Sequence, residues 1–309
     1  ADARGLRVDA DQIVITSGAQ QAFVLIAFAL LKSGDTVWYE NPGHIAGRDV
    51  MIAMGASVMP VPIDPEGLDL NYAKSTFETP KLIFATPSHQ HPLGITMSLA
   101  RRLALLEFAS NNNSWIIEDD YDSEFRYRGR PLPALSALDE ERRVFYVGTF
   151  SKALCSAVRL GYVVVPEWLI ETFAKAMNLL GQNASPITEV ALAQFINDGR
   201  FAEHIRKMRR LYRDRRDTLI ECLSESCSDF LSFKSSDAGM HIIADLKSGI
   251  DDEAAYRALL NNGIESLPLS VYCLEPIERS ALILGFSGVQ RKRMPKLVKK
   301  MSQILSTFH

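Results

Sequence analysis

The sequence predicts an α/β protein: a large domain on a mostly parallel sheet, residues 1–180, then connecting helices and a smaller C-terminal α+β domain, residues 181–309. Three observations carry this expectation. Short β-rich apolar runs alternate with helical patterns through the first two thirds of the chain, as a parallel sheet covered on both faces requires. From about Leu169 the pattern changes to long helices and then to a shorter α+β stretch. At 309 residues, 47% of them apolar, the chain is large enough to bury a sizeable core.

The elements follow in order. "QIVIT" reads as a strand and a helix begins near Gln20; "TVWYE", "SVMPVPI" and "KLIFAT" read as three further strands. A helix starts near Ser98, after which "WIIEDDY", "VFYVGT" and "LGYVVVP" complete the strands of the large domain. "FAEHIRKMRRLYRDRRDTLIECL" is one long helix. Its Arg206, Lys207, Arg209, Arg210, Arg213, Arg215 and Arg216 raise the question of a nucleic-acid face. Met208, Leu211, Tyr212 and Leu219 form an apolar stripe, however, and Glu203, Asp214 and Asp217 interrupt the charge, so the helix reads as solvated and amphipathic. "GMHIIADL" through "ALILGFSG" gives the small domain its strands, and "KLVKKMSQILSTF" is a closing helix.

Composition excludes several classes. A net charge of −3 gives no bulk attraction to nucleic acid or to an anionic membrane. The longest apolar run, Ala22 to Leu31, is too short for a bilayer, and no signal peptide opens the chain, so a cytoplasmic protein is expected. Cys155, Cys222, Cys227 and Cys273 have neither CxxC nor zinc-site spacing and read as free thiols. The chain begins at Ala1, just ahead of a strand, which suggests a mature form or a fragment with a further segment in front.

In open α/β sheets ligands sit at the carboxyl ends of the strands, so the residues past each apolar run matter most. In "ITSGAQQAF" the amides of Ala19 and Gln20 would face outward at a helix N-terminus, ready for an anion, although such a turn also simply caps helices. In "WIIEDDYD" strand alternation puts Asp119 and Tyr121 on one side and Glu118 and Asp120 on the other; a magnesium site or a helix cap is the competing reading. "NPGHIAG" puts His44 at the tip of a turn. "TPSHQHPLG" puts His89 and His91 in a loop, where a lone histidine reads first as surface. "GTFSKALCSAVRLGY" places Lys152 just past a buried strand, with Thr149, Ser151 and Arg159 suited to a phosphate. A buried ammonium needs a partner or a chemical task.

Together these residues call for a ligand with a phosphate, a ring nitrogen, a phenolic oxygen and an aldehyde, and pyridoxal 5′-phosphate has all four. Lys152 would form a Schiff base with it. Asp119 would keep the ring nitrogen protonated, Tyr121 would bond the ring oxygen and His44 would lie against the ring. Arg159, Thr149, Ser151 and the amides of Ala19 and Gln20 would hold the phosphate.

Along almost its whole length the chain resembles the fold-type I PLP-dependent aminotransferases. More narrowly, "TSGAQQA", "ENPGHIAGR", "TPSHQHPLG", "EDDYDSEFRY", "GTFSKAL…RLGY", "RKMRRLYRDRRDTL" and "AGMHIIADL" are similar to the aminotransferase-like domain of MocR/GabR transcriptional regulators. That resemblance implies a PLP-binding, effector-sensing domain, forming a homodimer whose partner subunit completes the site. It reaches DNA only through an N-terminal winged helix-turn-helix ahead of Ala1, and senses a small amino-group effector by aldimine exchange at Lys152. A free-standing PLP-dependent aminotransferase of amino acids is the alternative. A nicotinamide oxidoreductase is a poor third, because no two glycines have the GxG spacing of a dinucleotide fingerprint.

Three positions depart from the family pattern. His44 replaces the usual stacking Tyr, which would make its charge follow pH near neutrality. His91 and Leu93 stand in "HPLG" where aminotransferases read Asn-Pro-Thr-Gly. Ile283 occupies the position of the Arg that clamps a substrate carboxylate, with Arg279 the nearest substitute, so turnover is expected to be weak or absent.

Overall fold

The structure, a computed structural model, describes residues 4–181, 184–247 and 249–308. The chain divides into two compact units, one comprising Ala1–His91, Ile95–Ser123 and Arg130–Phe201, the other Pro92–Gly94, Glu124–Gly129 and Ala202–His309. The boundary expected between residues 180 and 181 falls inside the first unit. There Leu192 is buried in one cluster with Leu160 and Ala184, which holds the following helix to the large sheet.

In the first unit the elements run β1 (Ile13–Thr16), α1 (Ala19–Leu30), β2 (Thr36–Asn41), α2 (Ile45–Ala53), β3 (Ser57–Asp64), β4 (Gly67–Leu68), α3 (Leu70–Thr76), β5 (Leu82–Ala85) and α4 (Leu99–Asn111). They continue with β6 (Trp115–Asp120), β7 (Val144–Thr149), β8 (Gly161–Val164), α5 (Ile170–Leu180) and α6 (Pro186–Asn197). The sheet order is β1-β8-β7-β6-β5-β2-β3-β4. β3, β2, β5, β6 and β7 are mutually parallel, while β8 runs antiparallel to both β7 and β1. β5 and β6 are buried along their whole length, which explains their unbroken apolar character. Trp38, Ile83, Ile116 and Val144 from four adjacent strands pack with Leu105 and Ala109 of α4, and each such side chain stabilises the fold by about 1.5–3 kcal/mol on burial.

The helix starts differ in one informative way. Ser98 and Asp69 cap α4 and α3 with side-chain oxygens, accepting from the amides of Arg101 and Tyr72. At α1 the N-cap is Gly18, at φ 111°, which has no side chain to offer. The first amides of α1 therefore keep their outward-facing donors.

The second unit is built on α7 (Arg200–Ser226), β9 (Leu231–Phe233), β10 (His241–Leu246), α8 (Asp252–Asn261), β11 (Leu267–Pro268), β12 (Ala281–Gly285) and α9 (Met294–Leu305). Its sheet, order β11-β12-β10-β9, is antiparallel throughout. The long basic helix α7 is less solvated than its composition suggests. Arg216 is 2% exposed, donates to the Ser236 carbonyl and stacks over the Tyr127 ring, while Arg209 donates twice to the Glu124 carbonyl. Arg216 also donates from two nitrogens to the Asp217 carboxylate, so its guanidinium fork is buried with its hydrogen bonds made.

Among the described residues no helix is long and apolar enough to cross a membrane, and no group of three or more His, Cys, Asp or Glu could hold a metal ion.

Candidate functional site

The parallel strands deliver their last residues to one edge of the large sheet. Register explains the grouping: Gly161 of β8 lies opposite both Thr16 of β1 and Thr149 of β7, so Thr16, Gly161 and Thr149 stand level across three strands. Gly161 has to be glycine, because a Cβ there would lie 2.8 Å from the Gly18 carbonyl carbon and 3.0 Å from the Ala19 nitrogen. That close approach sets the N-terminus of α1, with the amides of Ala19 and Gln20, directly over β8. Beyond Thr149, whose hydroxyl accepts from the Ser151 amide at 3.2 Å, the chain makes the turn that carries Lys152. Lys152 is exposed, and so is Arg159, held in the left-handed region at φ 48° two residues before Gly161.

β6 supplies the carboxylates, and its alternation separates them. Glu118 accepts from the amides of Leu135 and Ser136 at 2.8 Å each; burial pushes its carboxyl up to about 7. Asp120 accepts from Tyr146 at 2.5 Å and Ser123 at 2.9 Å and meets the Arg4 guanidinium at 2.8 Å. Asp119 points elsewhere. Its Oδ2 lies 3.6 Å from His44 Nδ1, and its Oδ1 is buried with no hydrogen-bond partner among the described residues. Burial, with Asp120, Glu40 and Asp122 nearby, holds the Asp119 carboxyl well above its ordinary range, and the Lys152 charge opposes that rise.

A row of rings borders Asp119. His44 begins α2, its carbonyl accepting from Tyr39 at 2.6 Å, with its ring edge-on to Phe23 at 5.9 Å and to His91 at 5.7 Å. His91 in turn meets the Tyr121 ring edge-on at 5.2 Å. Burial and the Lys152 charge push His44 down to about 4, so its ring is neutral at neutral pH and its charge does not follow pH there, contrary to the expectation from sequence. Burial and the carboxylates of Asp122, Asp119 and Glu40 push the Tyr121 phenol well above 10, so it keeps its proton.

Beneath these residues lies a layer that the sequence reading missed. Glu40, at the end of β2, accepts from the Thr86 amide at 3.0 Å, the Thr86 hydroxyl at 2.5 Å and Gln90 at 3.1 Å, and burial raises it to about 7. His89, read as a surface residue, is 2% exposed, with Nδ1 3.0 Å from both the Tyr121 hydroxyl and Asp122 Oδ2. The one sequence signal for this layer was the density of acids and histidines in "EDDYD" and "SHQH".

The residues present fit pyridoxal 5′-phosphate. A buried carboxylate oxygen without a donor is costly, and a protonated ring nitrogen is a partner that would relieve it. The uncapped amides of α1 suit a phosphate, and Lys152 supplies a primary amine whose charge acts on both His44 and Asp119.

Comparison with known proteins agrees. Residues 2–300 match the family model for aminotransferase class I and II. The chain is 38% identical over 291 residues to the "Probable rhizopine catabolism regulatory protein MocR" of Rhizobium meliloti, covering 94% of this chain and 59% of that protein. It is 32% identical to the HTH-type transcriptional regulator YdeL of Bacillus subtilis, covering 96% and 64%. The chain thus spans about three fifths of the length of these relatives. Among solved structures it resembles the kynurenine aminotransferase of Pyrococcus horikoshii, with a TM-score of 0.87 and 29% identity, covering 96% of this chain and 75% of that one.

Proposed function

This chain belongs to the aminotransferase class I and II family, and from that premise we propose that it is the effector-sensing domain of a MocR/GabR-type transcriptional regulator, in which a small amino-group effector displaces Lys152 from the cofactor. The cofactor is pyridoxal 5′-phosphate, which when bound supplies an aldehyde carbon for a primary amine and a ring that withdraws electrons from it. The buried Oδ1 of Asp119, without a donor among the described residues, is the observation that carries this reading.

The chain's own groups divide the work. Asp119 would hold a proton on the ring nitrogen, and Tyr121 would donate to the ring oxygen. His44, neutral, would lie against the ring, and His91 would join the binding residues. The amides of Ala19 and Gln20, the hydroxyls of Thr149 and Ser151 and the guanidinium of Arg159 neutralise the phosphate. Lys152 would supply the amine that holds the cofactor's aldehyde carbon, and an effector amine would be sensed by competing with Lys152 for that carbon. The readout would be DNA binding by a winged-helix segment ahead of Ala1, in a cytoplasmic homodimer; relatedness to MocR, a regulatory protein, and YdeL, an HTH-type regulator, supports the DNA-binding part of this reading. The second reading, an aminotransferase with full turnover, draws on the likeness to the kynurenine aminotransferase.

The test is to load the protein with pyridoxal 5′-phosphate, reduce it with borohydride and map the adduct by mass spectrometry. A yellow protein labelled on Lys152, whose visible absorbance shifts on adding a subset of small amines, is the expected result. A label on another lysine, or no uptake, would overturn the assignment.

A further inference from the structure

Tyr121 lies one residue beyond β6, where no sheet partner fixes its direction. Its ring is held between His91, edge-on at 5.2 Å, and His89, tilted at 6.1 Å. Its hydroxyl meets the Nδ1 of His89 at 3.0 Å, and that same nitrogen is 3.0 Å from Asp122 Oδ2. His89 and Asp122 are 2% and 1% exposed. They come from the loop after β5 and the turn after β6, two segments that otherwise only border the candidate site.

We propose that His89 and Asp122 are a buried positioning pair for Tyr121, which fixes the direction of its O–H and sets how strongly it donates to a ligand's ring oxygen. The proposal deepens the reading of Tyr121 as a cofactor contact and rests on it. The geometry assigns the roles. A ring nitrogen facing a carboxylate carries its proton and donates, so His89 Nδ1–H is shared between Asp122 and the phenol oxygen. Nδ1 stands 3.0 Å from each of its two acceptors, so the Asp122 carboxylate draws part of that N–H away from the phenol oxygen. The more of the N–H the phenol oxygen receives, the more its own O–H is polarised and the better it donates to an oxygen above the ring.

The two members of the pair consequently act in opposite directions. Without the Asp122 charge, His89 donates wholly to the phenol oxygen and the Tyr121 O–H becomes the stronger donor toward the ligand. Without the His89 donor, the phenol oxygen loses that polarisation and the ligand receives less. The other charged or titratable groups facing Tyr121 are Asp119 of β6, Glu40 of β2 and the His91 ring.

The experiment is a pH titration of the visible absorbance of the full chain loaded with pyridoxal 5′-phosphate, with melting temperature measured in parallel. A ligand oxygen that receives a stronger hydrogen bond is more stable as an anion, so the midpoint falls. Asp122→Asn should lower the midpoint and His89→Phe should raise it, each by about one pH unit. His89→Gln, whose amide can still donate to the phenol oxygen, should return the midpoint toward wild type. In a Tyr121→Phe background both shifts should vanish. A purely structural role would lower the melting temperature of the variants and move the midpoints together or not at all. Shifts of the same sign, shifts that persist without Tyr121, or a Gln variant indistinguishable from Phe would each overturn the proposal. If the wild-type protein takes up no pyridoxal 5′-phosphate, the cofactor reading fails. The pair is then judged on the ultraviolet titration of the Tyr121 phenol, taken by difference against Tyr121→Phe. There Asp122→Asn should again lower the midpoint and His89→Phe raise it, and any other order refutes the pair.

Discussion

Asp119 and Asp120, consecutive in β6, have opposite company. The Oδ2 of Asp120 is engaged by Tyr146, Ser123 and Arg4, all within 2.9 Å. The Oδ1 of each is buried without a partner among the described residues, but the Oδ2 of Asp119 has only the His44 ring nitrogen, at 3.6 Å, so Asp119 makes no hydrogen bond at either oxygen although both side chains are at least 95% buried at 3% and 5% exposure. One residue of strand phase thus divides a carboxylate bonded into the fold from one left without a hydrogen-bond donor.

That division predicts a double dissociation. Asp119→Ala should weaken pyridoxal 5′-phosphate binding about tenfold or more, the equivalent of one charge-assisted hydrogen bond of about 1.5–3 kcal/mol. It should leave the melting temperature unchanged or higher, since an unpaired buried carboxylate is removed. Asp120→Ala should strand the Arg4 guanidinium and destabilise the fold by about 3–5 kcal/mol, with a smaller effect on cofactor affinity at temperatures where the protein is folded. Absorbance titrations and urea denaturation measure the two quantities. If Asp120→Ala proves the stronger cofactor defect, the roles are reversed.

The raised carboxyls predict an unusual pH dependence for the cofactor-free protein. Glu40 and Glu118 are each pushed up to about 7 from 4.5 by burial, so between those values the folded state binds protons that the unfolded state does not. Their contribution is fully present below about pH 4.5 and is lost as pH rises through 7. His44, lowered from 6.5 to about 4, works the other way, its contribution being lost as pH falls from 6.5 toward 4. Asp119 and Asp139, also raised by burial, act in the same direction as the two glutamates, so stability should decline from pH 5.5 to pH 7.5. Glu118→Gln should flatten that slope even if it lowers stability at every pH. Urea midpoints at the two pH values decide, and a rising slope in the wild type would count against buried, protonated carboxyls.

The strands and the first layer of the site were legible in the sequence because both rest on local rules. A continuous apolar run such as "KLIFA" announces a buried parallel strand, and alternation along "WIIEDDY" separates Asp119 from Asp120 without any knowledge of their partners. The second layer was not legible, because its contacts cross the sheet. Glu40 reaches Thr86 over 46 residues and His89 reaches Asp122 over 33, and no periodicity encodes such pairs. For the same reason His89 read as surface, when the loop after β5 turns it inward under Tyr121. Arg216 read as solvated because its stacking partner, Tyr127, and its acceptor, the Ser236 carbonyl, are remote in sequence or lie in an irregular segment.

The proposed homodimer makes its own prediction. In α6, Ile187 and Val190 are 83% and 69% exposed, and Leu179 of α5 is 74% exposed. Large apolar side chains so open, close together in sequence on consecutive helices, mark an interaction surface. Ile187→Glu combined with Val190→Glu should convert a dimer to a monomer in sedimentation or light scattering, with the far-ultraviolet spectrum retained. A dimer that survives both substitutions would place its interface elsewhere.

The last prediction concerns turnover. A bidentate arginine on a substrate carboxylate places the reacting carbon, and a small misplacement there can cost on the order of a hundredfold in rate. At position 283 this chain has isoleucine, 7% exposed in β12, opposite Ile243 and Leu267, so the position belongs to the apolar packing of the small sheet. Arg279, the nearest substitute in sequence, is paired with Asp245, its Nε and its terminal nitrogen bonding the two carboxylate oxygens at 2.6 and 3.3 Å. The loaded protein should therefore change colour with some amines yet convert alanine, aspartate and glutamate to their keto acids slowly or not at all. Single-turnover assays that follow pyridoxamine phosphate and keto acid together provide the measurement. Rapid, complete conversion of any of the three would show that another cation binds the carboxylate. Loss of that conversion in Arg279→Ala would then identify Arg279 as that cation, and the chain would be an aminotransferase rather than a sensor.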